Sequence, residues 1–553
     1  MKAINRRQFV TRMSLSAATA ALFSKLGHSS SRYLEKYTRA EEYVDVEITH
    51  GKIRGIRIEG VNVFKGVPYA GKVSGDRRFR RPAPLDPWIG VRDALHLGAP
   101  AIQAPRQNEP APAEDCLFLN VWTPANDNRK RPVMFYNHGG GFIKGSGGAA
   151  AQNGSNLARN FDVVVVETNH RLGLMGFLYL DEIAGSDYSG SGNMGMLDIV
   201  AGLKWVYENI SVFGGDPNNV MIFGESGGGA KTSCLYAMPD AAPYFNKASI
   251  ESGPGVRMIP PETAAETTAM LLKELNIAPK EWRKLLNVPA ENLFEIQSRL
   301  PNLRPPVAPA KSKIPGSFGP VVDGFVLPNH PFDPVAPEIS RNKPLMTGWN
   351  EDEYTFFAWQ RNDTESFKLD FESLKAKLEP KFGADTKIII DTYRKSRPNA
   401  TATDIFVAIS SISLGTIDIA EKKVKQNGSP VYLYNFGYKS ETLIPGTDYP
   451  FGTPHAMDIT FKFNNEVPPK EGSQPGKAFA FAGNRPERFI ASHNMAELWT
   501  TFARTGKPAL KGGPEWPAYN LKNRPTMRID TKCEVIDNRY SIELEMWRSI
   551  GKL

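Results

Sequence analysis

Cysteine is nearly missing from this chain: its 553 residues hold three, Cys116, Cys234 and Cys533. So small and odd a number excludes a stapled framework, allows at most one disulfide and leaves at least one free thiol. Long apolar runs are missing too. Met13 to Phe23 is mildly apolar, but at about eleven residues it falls short of the ~20 that a membrane-spanning helix needs. No later stretch is apolar enough to replace it, so no stable membrane anchor is expected. No His/Cys/Asp cluster has the spacing of a metal site, and neither a metal nor a cofactor is implied. Internal repeats are absent. The net charge of +8 is also less than it looks, because Lys2, Arg6, Arg7, Arg12, Lys25 and Arg32 fall in residues 1–32, which hold no acidic residue. Those six charges leave the remainder at only +2, which gives no support to a nucleic-acid partner.

What is there begins with that basic leader. Asn5-Arg6-Arg7-Gln8-Phe9-Val10 sets paired arginines ahead of a weak apolar stretch rich in alanine and serine. This predicts a twin-arginine signal over residues 1–32, read by the Tat export machinery, and a periplasmic or secreted protein. Folding before export, in a reducing compartment, makes disulfides unnecessary. Beyond the leader, 41% apolar and 23% charged residues describe an ordinary soluble globular chain with ample core material. Residues 33–553 are expected to form a single domain.

Several short β-branched or aromatic runs recur: Val133–Tyr136, Val163–Val166, Val220–Phe223, Ala248–Ile250 and Val431–Tyr434. Near-continuous apolarity predicts strands covered on both faces, as in a parallel sheet. Helical patterns at Leu197–Asn209 and Pro261–Leu275 alternate with them. The fold class is therefore α/β, with a largely parallel sheet. Proline-rich Pro301–Pro315 and Val467–Pro475 read as lid-like surface loops.

Chemistry enters at Gly224-Glu225-Ser226-Gly227-Gly228-Gly229, between the strand-like Val220–Phe223 and a small-residue helix start. This G-x-S-x-G sits in the strand–turn–helix context of a nucleophile elbow. A serine hydroxyl needs a sharp turn to expose it to a base, and side chains beside it would collide with neighbouring backbone. His138-Gly139-Gly140-Gly141-Phe142 follows the strand Val133–Tyr136. A glycine-rich loop there can aim successive N–H groups at one point, so Gly140, Gly141 and Gly227 are the expected oxyanion donors. His138 is expected to hold the loop rather than to react.

With these motifs the chain resembles the type-B carboxylesterases, the cholinesterase-like branch of the α/β-hydrolases. Phe64-Lys65-Gly66-Val67-Pro68-Tyr69-Ala70, Glu114-Asp115-Cys116-Leu117-Phe118-Leu119-Asn120 and Phe213-Gly214-Gly215-Asp216-Pro217 each resemble a family segment. The resemblance runs from about Val44 to Glu543. It implies an α/β-hydrolase fold: a large, mostly parallel sheet flanked by helices, with insertions forming a gorge. It also implies the chain order Ser, Glu, His. Gly348-Trp349-Asn350-Glu351-Asp352-Glu353 resembles the acid segment and points to Glu353, leaving Glu351 as surface acidity. Gly452-Thr453-Pro454-His455-Ala456-Met457-Asp458-Ile459 resembles the base segment and points to His455, alone among the eight histidines in such a context. Glu225 and Ser252 resemble residues that support the triad from beside it.

The implied activity is hydrolysis of small-molecule carboxylic esters by Ser226, His455 and Glu353 through an acyl-enzyme. An esterase of a bulky natural-product, toxin or carbamate ester is the alternative, and a non-catalytic binding protein of the same fold the remote one. Departures from the family pattern carry expectations of their own. Ala101–Ala113 has no tryptophan, so the cation–π platform for choline is missing. Gly227 stands where alanine is usual, which keeps the N–H and opens slightly more room. Tyr354 follows Glu353 in place of glycine, and is expected to narrow the gorge or shift the acid. His170, in Asn169-His170-Arg171, and Ile199, in Leu197-Asp198-Ile199, also depart from the pattern without an evident reason in sequence. The substrate pockets are expected to be built from loops such as Pro301–Gly319 and Phe356–Asp370.

Overall fold

A computed structural model describes residues 42–300, 317–466 and 481–553. The leader over residues 1–32 and both proline-rich loops, 301–315 and 467–475, lie outside the described residues. The strands are β1 Glu42–Ile48, β2 Gly51–Ile58, β3 Val61–Pro68, β4 Val91–Asp93, β5 Phe118–Thr123, β6 Arg131–Asn137 and β7 Val164–Thr168. They continue as β8 Gly215–Glu225, β9 Lys247–Glu251, β10 Leu345–Asn350, β11 Val431–Phe436, β12 Ser440–Leu443, β13 Pro450–Gly452, β14 Thr526–Ile529 and β15 Glu534–Ile536. Thirteen of these form one sheet in the order β1-β2-β3-β5-β7-β6-β8-β9-β10-β11-β14-β15, with β4 beside β2. From β7 to β14 every neighbour is parallel. The flanks, β1 to β5 on one side and β15 on the other, are antiparallel except for the β2–β4 pair. This is the α/β-hydrolase architecture.

Each expected strand is present, and each is buried along its length for a reason visible in the side-chain alternation. In β6, Val133 and Phe135 enter one core while Met134 and Tyr136 enter the other. In β8, Val220 and Ile222 divide from Met221 and Phe223 in the same way. The first core is roofed by Leu197, Leu203 and Trp205 of helix Met194–Asn209. The second is roofed by Met495, Trp499 and Phe502 of helix Glu487–Thr505. A buried side chain of this size contributes about 1.5–3 kcal/mol, so two covered faces explain the unbroken apolar runs.

The sheet brings the chemistry to one edge. Parallel register pairs Asn137 with Gly224, Glu225 with Glu251, and Gly348 with Glu251. The segments leaving the C-terminal ends of β6, β8, β9 and β10 therefore emerge together, where open α/β sheets bind ligands. β8 turns into helix Gly227–Ala237 through Ser226, whose backbone sits at φ 57°, ψ −121°. Such a conformation costs on the order of 1–3 kcal/mol and persists only when the surroundings enforce it. Ser226 N–H donates to the Glu251 carbonyl at 2.9 Å, and Ala230 N–H to the Ser226 carbonyl at 3.1 Å. Three glycines start this helix although each weakens a helix by about 1 kcal/mol. Packing overrides propensity there: a Cβ on Gly228 would stand 2.0 Å from the Asn137 carbonyl oxygen.

Gly253, just beyond β9, closes the turn from below, and a Cβ there would stand 1.7 Å from the Ser226 carbonyl oxygen. Both sides of that contact are backbone, so Gly253→Ala is expected to cost more than the roughly 1–3 kcal/mol usual for overpacking. Urea unfolding checks it; an unchanged midpoint would mean that the turn is not held by this contact.

Candidate active site

Ser226, Glu353 and His455 come together although 229 positions separate the serine from the histidine. Ser226 Oγ lies 2.8 Å from His455 Nε2. His455 Nδ1 makes a short contact to Glu353 Oε2. A carboxylate at Nδ1 fixes the tautomer with its proton on that nitrogen, so Nε2 accepts from the serine hydroxyl. Glu353 is anchored in turn, its Oε1 accepting from the Asn350 N–H at 2.8 Å. It opens helix Glu353–Gln360, where a carboxylate favours the positive end of the helix dipole. Several hydrogen bonds tie the histidine loop to the acid segment: Asn350 Nδ2 donates to the Pro454 carbonyl at 2.8 Å, Thr453 N–H to Asp352 Oδ2 at 2.7 Å, and Asp352 N–H to the Thr453 carbonyl at 3.1 Å.

Electrostatics around His455 run against its burial. Burial by itself would lower its pKa, but the Glu225 and Glu353 carboxylates outweigh it and raise the imidazolium above the ordinary histidine value. Glu225 Oε1 stands 3.2 Å from Nε2, an ion-pair contact without hydrogen-bond alignment. Glu225 itself is pushed up by burial, partly offset by the charge of His455. Beneath it lies a cation that sequence reading passed over. Lys462 is fully buried and reaches Asp458 Oδ2 at 2.7 Å and Glu251 Oε2. Burial alone would depress its pKa, yet these two carboxylates hold it above the ordinary lysine range. Glu251 also accepts from Trp499 Nε1 at 2.6 Å and from Ser249 Oγ at 2.7 Å. A lysine four residues after Asp458, at the end of a short helical segment, was the available signal.

The glycine-rich loop after β6 holds Gly140 at φ 90° and Gly141 at φ 65°, conformations that favour glycine. His138 Nδ1 lies 2.9 Å from the Gly139 carbonyl, so the ring braces the loop. The room expected beside Gly227 is not free. A Cβ on Gly227 would stand 2.3 Å from the Gly141 backbone nitrogen, because the loop backbone occupies that space.

Other expectations need correction or now have a cause. Glu351 is not surface acidity: its side chain is 11% exposed and meets Lys439 at 2.8 Å, Arg528 at 2.9 Å and Arg539 at 2.5 Å. Burial is outweighed by these cations, and its pKa falls to about 2. The ring of Tyr354 packs edge-on to Phe406 at 5.0 Å and its hydroxyl lies 3.2 Å from Asp363. Ser252 makes no side-chain hydrogen bond among the described residues and acts through backbone, its N–H donating to the Gly348 carbonyl at 2.9 Å. Phe356 is no loop residue but lies in helix Glu353–Gln360, and the rings of Phe356 and Phe357 stand 5.7 and 4.6 Å from that of His455. His170 stacks on His138 at 4.8 Å, and Asp198 binds the Arg171 guanidinium at 2.7 and 2.8 Å. Cys116, Cys234 and Cys533 are free and buried.

Two carboxylates facing one imidazole set the sign of a pH test. Each favours the charged ring, so removing one lets His455 lose its proton at lower pH. Glu225→Gln is expected to move the acid limb of kcat/KM downward by roughly 1–3 units, read from a pH–rate profile. A limb left in place would exclude Glu225 from the field that acts on the base.

Known proteins resemble this chain over most of its length. The carboxylesterase family model matches residues 42–547. Para-nitrobenzyl esterase of Bacillus subtilis is 33% identical over 497 residues, covering 89% of this chain and 95% of that protein. Fumonisin B1 esterase of Sphingopyxis macrogoltabida is 32% identical, covering 85% of this chain and 84% of its own. A crystal structure of a Geobacillus stearothermophilus carboxylesterase superposes with a TM-score of 0.76 at 35% identity, covering 91% of this chain and 99% of that one. Strand order, elbow, oxyanion loop and these likenesses lead to one conclusion: the chain belongs to the carboxylesterase family and is a serine carboxylesterase.

Proposed function

We propose that Ser226 is the nucleophile of this ester hydrolase, His455 its general base and Glu353 the acid that orients and compensates the base. The observation that carries this reading is the unbroken line from Ser226 Oγ through His455 to Glu353 at the mouth of the sheet. As Ser226 Oγ bonds to the ester carbonyl carbon, its proton passes to His455 Nε2. The carbonyl π electrons move to oxygen, which the N–H groups of Gly140, Gly141 and Gly227 receive. Collapse of the tetrahedral species breaks the bond to the alcohol oxygen, which takes the proton back from Nε2. Water then attacks the acyl-enzyme by the same path and releases the acid. Glu225 adds a second negative charge beside Nε2, favouring the imidazolium formed in both steps.

The substrate class proposed is small-molecule carboxylic esters. A narrower reading, a bulky natural-product, toxin or carbamate ester, is favoured by the phenyl rings of Phe356 and Phe357 against His455. Fumonisin B1 esterase among the relatives supports it. For location we propose export by the Tat machinery to the periplasm or beyond, on the paired Arg6 and Arg7 alone.

Two measurements follow from this. Initial rates on p-nitrophenyl esters of increasing acyl length are expected to fall by at least about 10⁴-fold in Ser226→Ala; retained activity would remove Ser226 from the mechanism. For location, Arg6→Lys with Arg7→Lys is expected to leave the protein in the cytoplasmic fraction of expressing bacteria, and unchanged periplasmic recovery would overturn the twin-arginine reading.

A further inference from the structure

Behind the oxyanion loop lies a buried basic cluster that the mechanism does not use. Lys231, in the second turn of helix Gly227–Ala237, is fully buried. Its Nζ donates to the His138 carbonyl at 2.8 Å and lies 3.5 Å from His138 Nδ1. The Phe142 ring centroid is 5.9 Å away. Among the described residues Lys231 forms no ion pair, and burial pulls its pKa well below the ordinary lysine value. His138 and His170, stacked beside it, are held well below the ordinary histidine value, chiefly by burial, so both rings are neutral. A lysine placed here without a carboxylate is costly. Its long arm has one well-made contact, and that contact is to the peptide that begins the oxyanion loop.

A second, independent observation lies on the other side of the same loop. Gly227 carries no side chain, and the Gly141 backbone occupies the space where one would be, 2.3 to 2.4 Å from the Cβ position. Gly228 approaches the Asn137 carbonyl likewise, and Asn137 Nδ2 donates to Thr232 Oγ1 at 3.0 Å. The first turns of the nucleophile helix and residues 137–141 are thus packed backbone on backbone. Lys231 pins the start of the loop, and Gly227 lets its end close down.

We infer that Lys231 is a positioning residue for acyl transfer: by donating to the His138 carbonyl it seats the Gly140–Gly141 N–H groups over Gly227. This rests on the reading of Ser226 as nucleophile and of these glycines as oxyanion donors. Lys231 touches neither substrate nor Ser226; it acts through the loop. The amine can donate to the carbonyl in either charge state, so its role does not depend on its titration.

The experiment separates oxyanion binding from substrate binding and from folding. Lys231→Met and Lys231→Gln are assayed on p-nitrophenyl butyrate, with thermal melting and inhibition by an alkyl trifluoromethyl ketone, which binds serine esterases as a hemiketal oxyanion. In Lys231→Met, kcat is expected to fall by about 10- to 100-fold, below the roughly 10²–10³ for outright loss of a donor. The ketone should weaken by the same factor as kcat/KM, with KM within about twofold of the parent's. Lys231→Gln, which keeps an N–H donor on a shorter arm, should recover part of kcat. Should the methionine variant not fold, a glutamine variant with lowered kcat, weakened ketone binding and parental KM supports the same role. Parental kcat and ketone affinity in a folded Lys231→Met would overturn it, as would a rise in KM alone, or parental values in Lys231→Gln should only that variant fold. The underlying reading fails by a different result, activity that survives Ser226→Ala, so the two failures are told apart.

Discussion

The strained turn at Ser226 is the constraint on which the rest of this structure depends. A non-glycine residue at φ 57° does not stay there unless its neighbours leave it no alternative. Two backbone hydrogen bonds hold it, one to β9 and one within the helix. Gly224, Gly228 and Gly253 let the surrounding backbone approach closer than any side chain would permit. The turn lifts the hydroxyl off the sheet edge toward His455, and it aims the N-terminus of the following helix at the same point. Exposure of the Ser226 hydroxyl and the placement of the Gly227 N–H are therefore consequences of one distorted peptide segment.

Around that turn the molecule buries more charge than a hydrophobic core ordinarily tolerates. Glu225, Glu251, Glu353 and Asp458 are all buried close to His455, with Lys462 as the compensating cation. Removing two charges from water costs several kcal/mol per ion and is repaid only where partners are well placed. Here the partners are well placed: Lys462 sits between two carboxylates, one of which is further satisfied by Trp499 and Ser249. The same arrangement leaves negative charge in surplus at His455. That surplus favours the imidazolium that an ester hydrolase must form twice in each turnover.

Much of this was legible in the sequence, for reasons that differ from element to element. Central strands such as β6 and β8 announce themselves because burial on both faces demands an unbroken apolar run. The elbow and the oxyanion loop are legible because close backbone approach can be met only by glycine, and glycines leave a fixed local signature. Glu353 and His455 have no such local physics; they were reached through resemblance. Glu351 was misread because its three cationic partners arrive from positions 439, 528 and 539, which no local pattern connects. The space beside Gly227 was misread because an absent methyl group does not say what will fill its place.

The sequence by itself determined the periodicity of the central strands, the glycines of the turns and the presence of one serine in an elbow. These are local properties, set by steric demands within a few residues. Tertiary structure decided which carboxylate faces His455, how Lys462 neutralises Asp458 and Glu251, and that Lys231 ends at the His138 carbonyl. Apart from the Asp458–Lys462 pair, four residues apart in one helix, each of these joins segments distant in the chain. Its energy depends on distance and on exclusion of water, quantities that exist only once the sheet has brought the segments together.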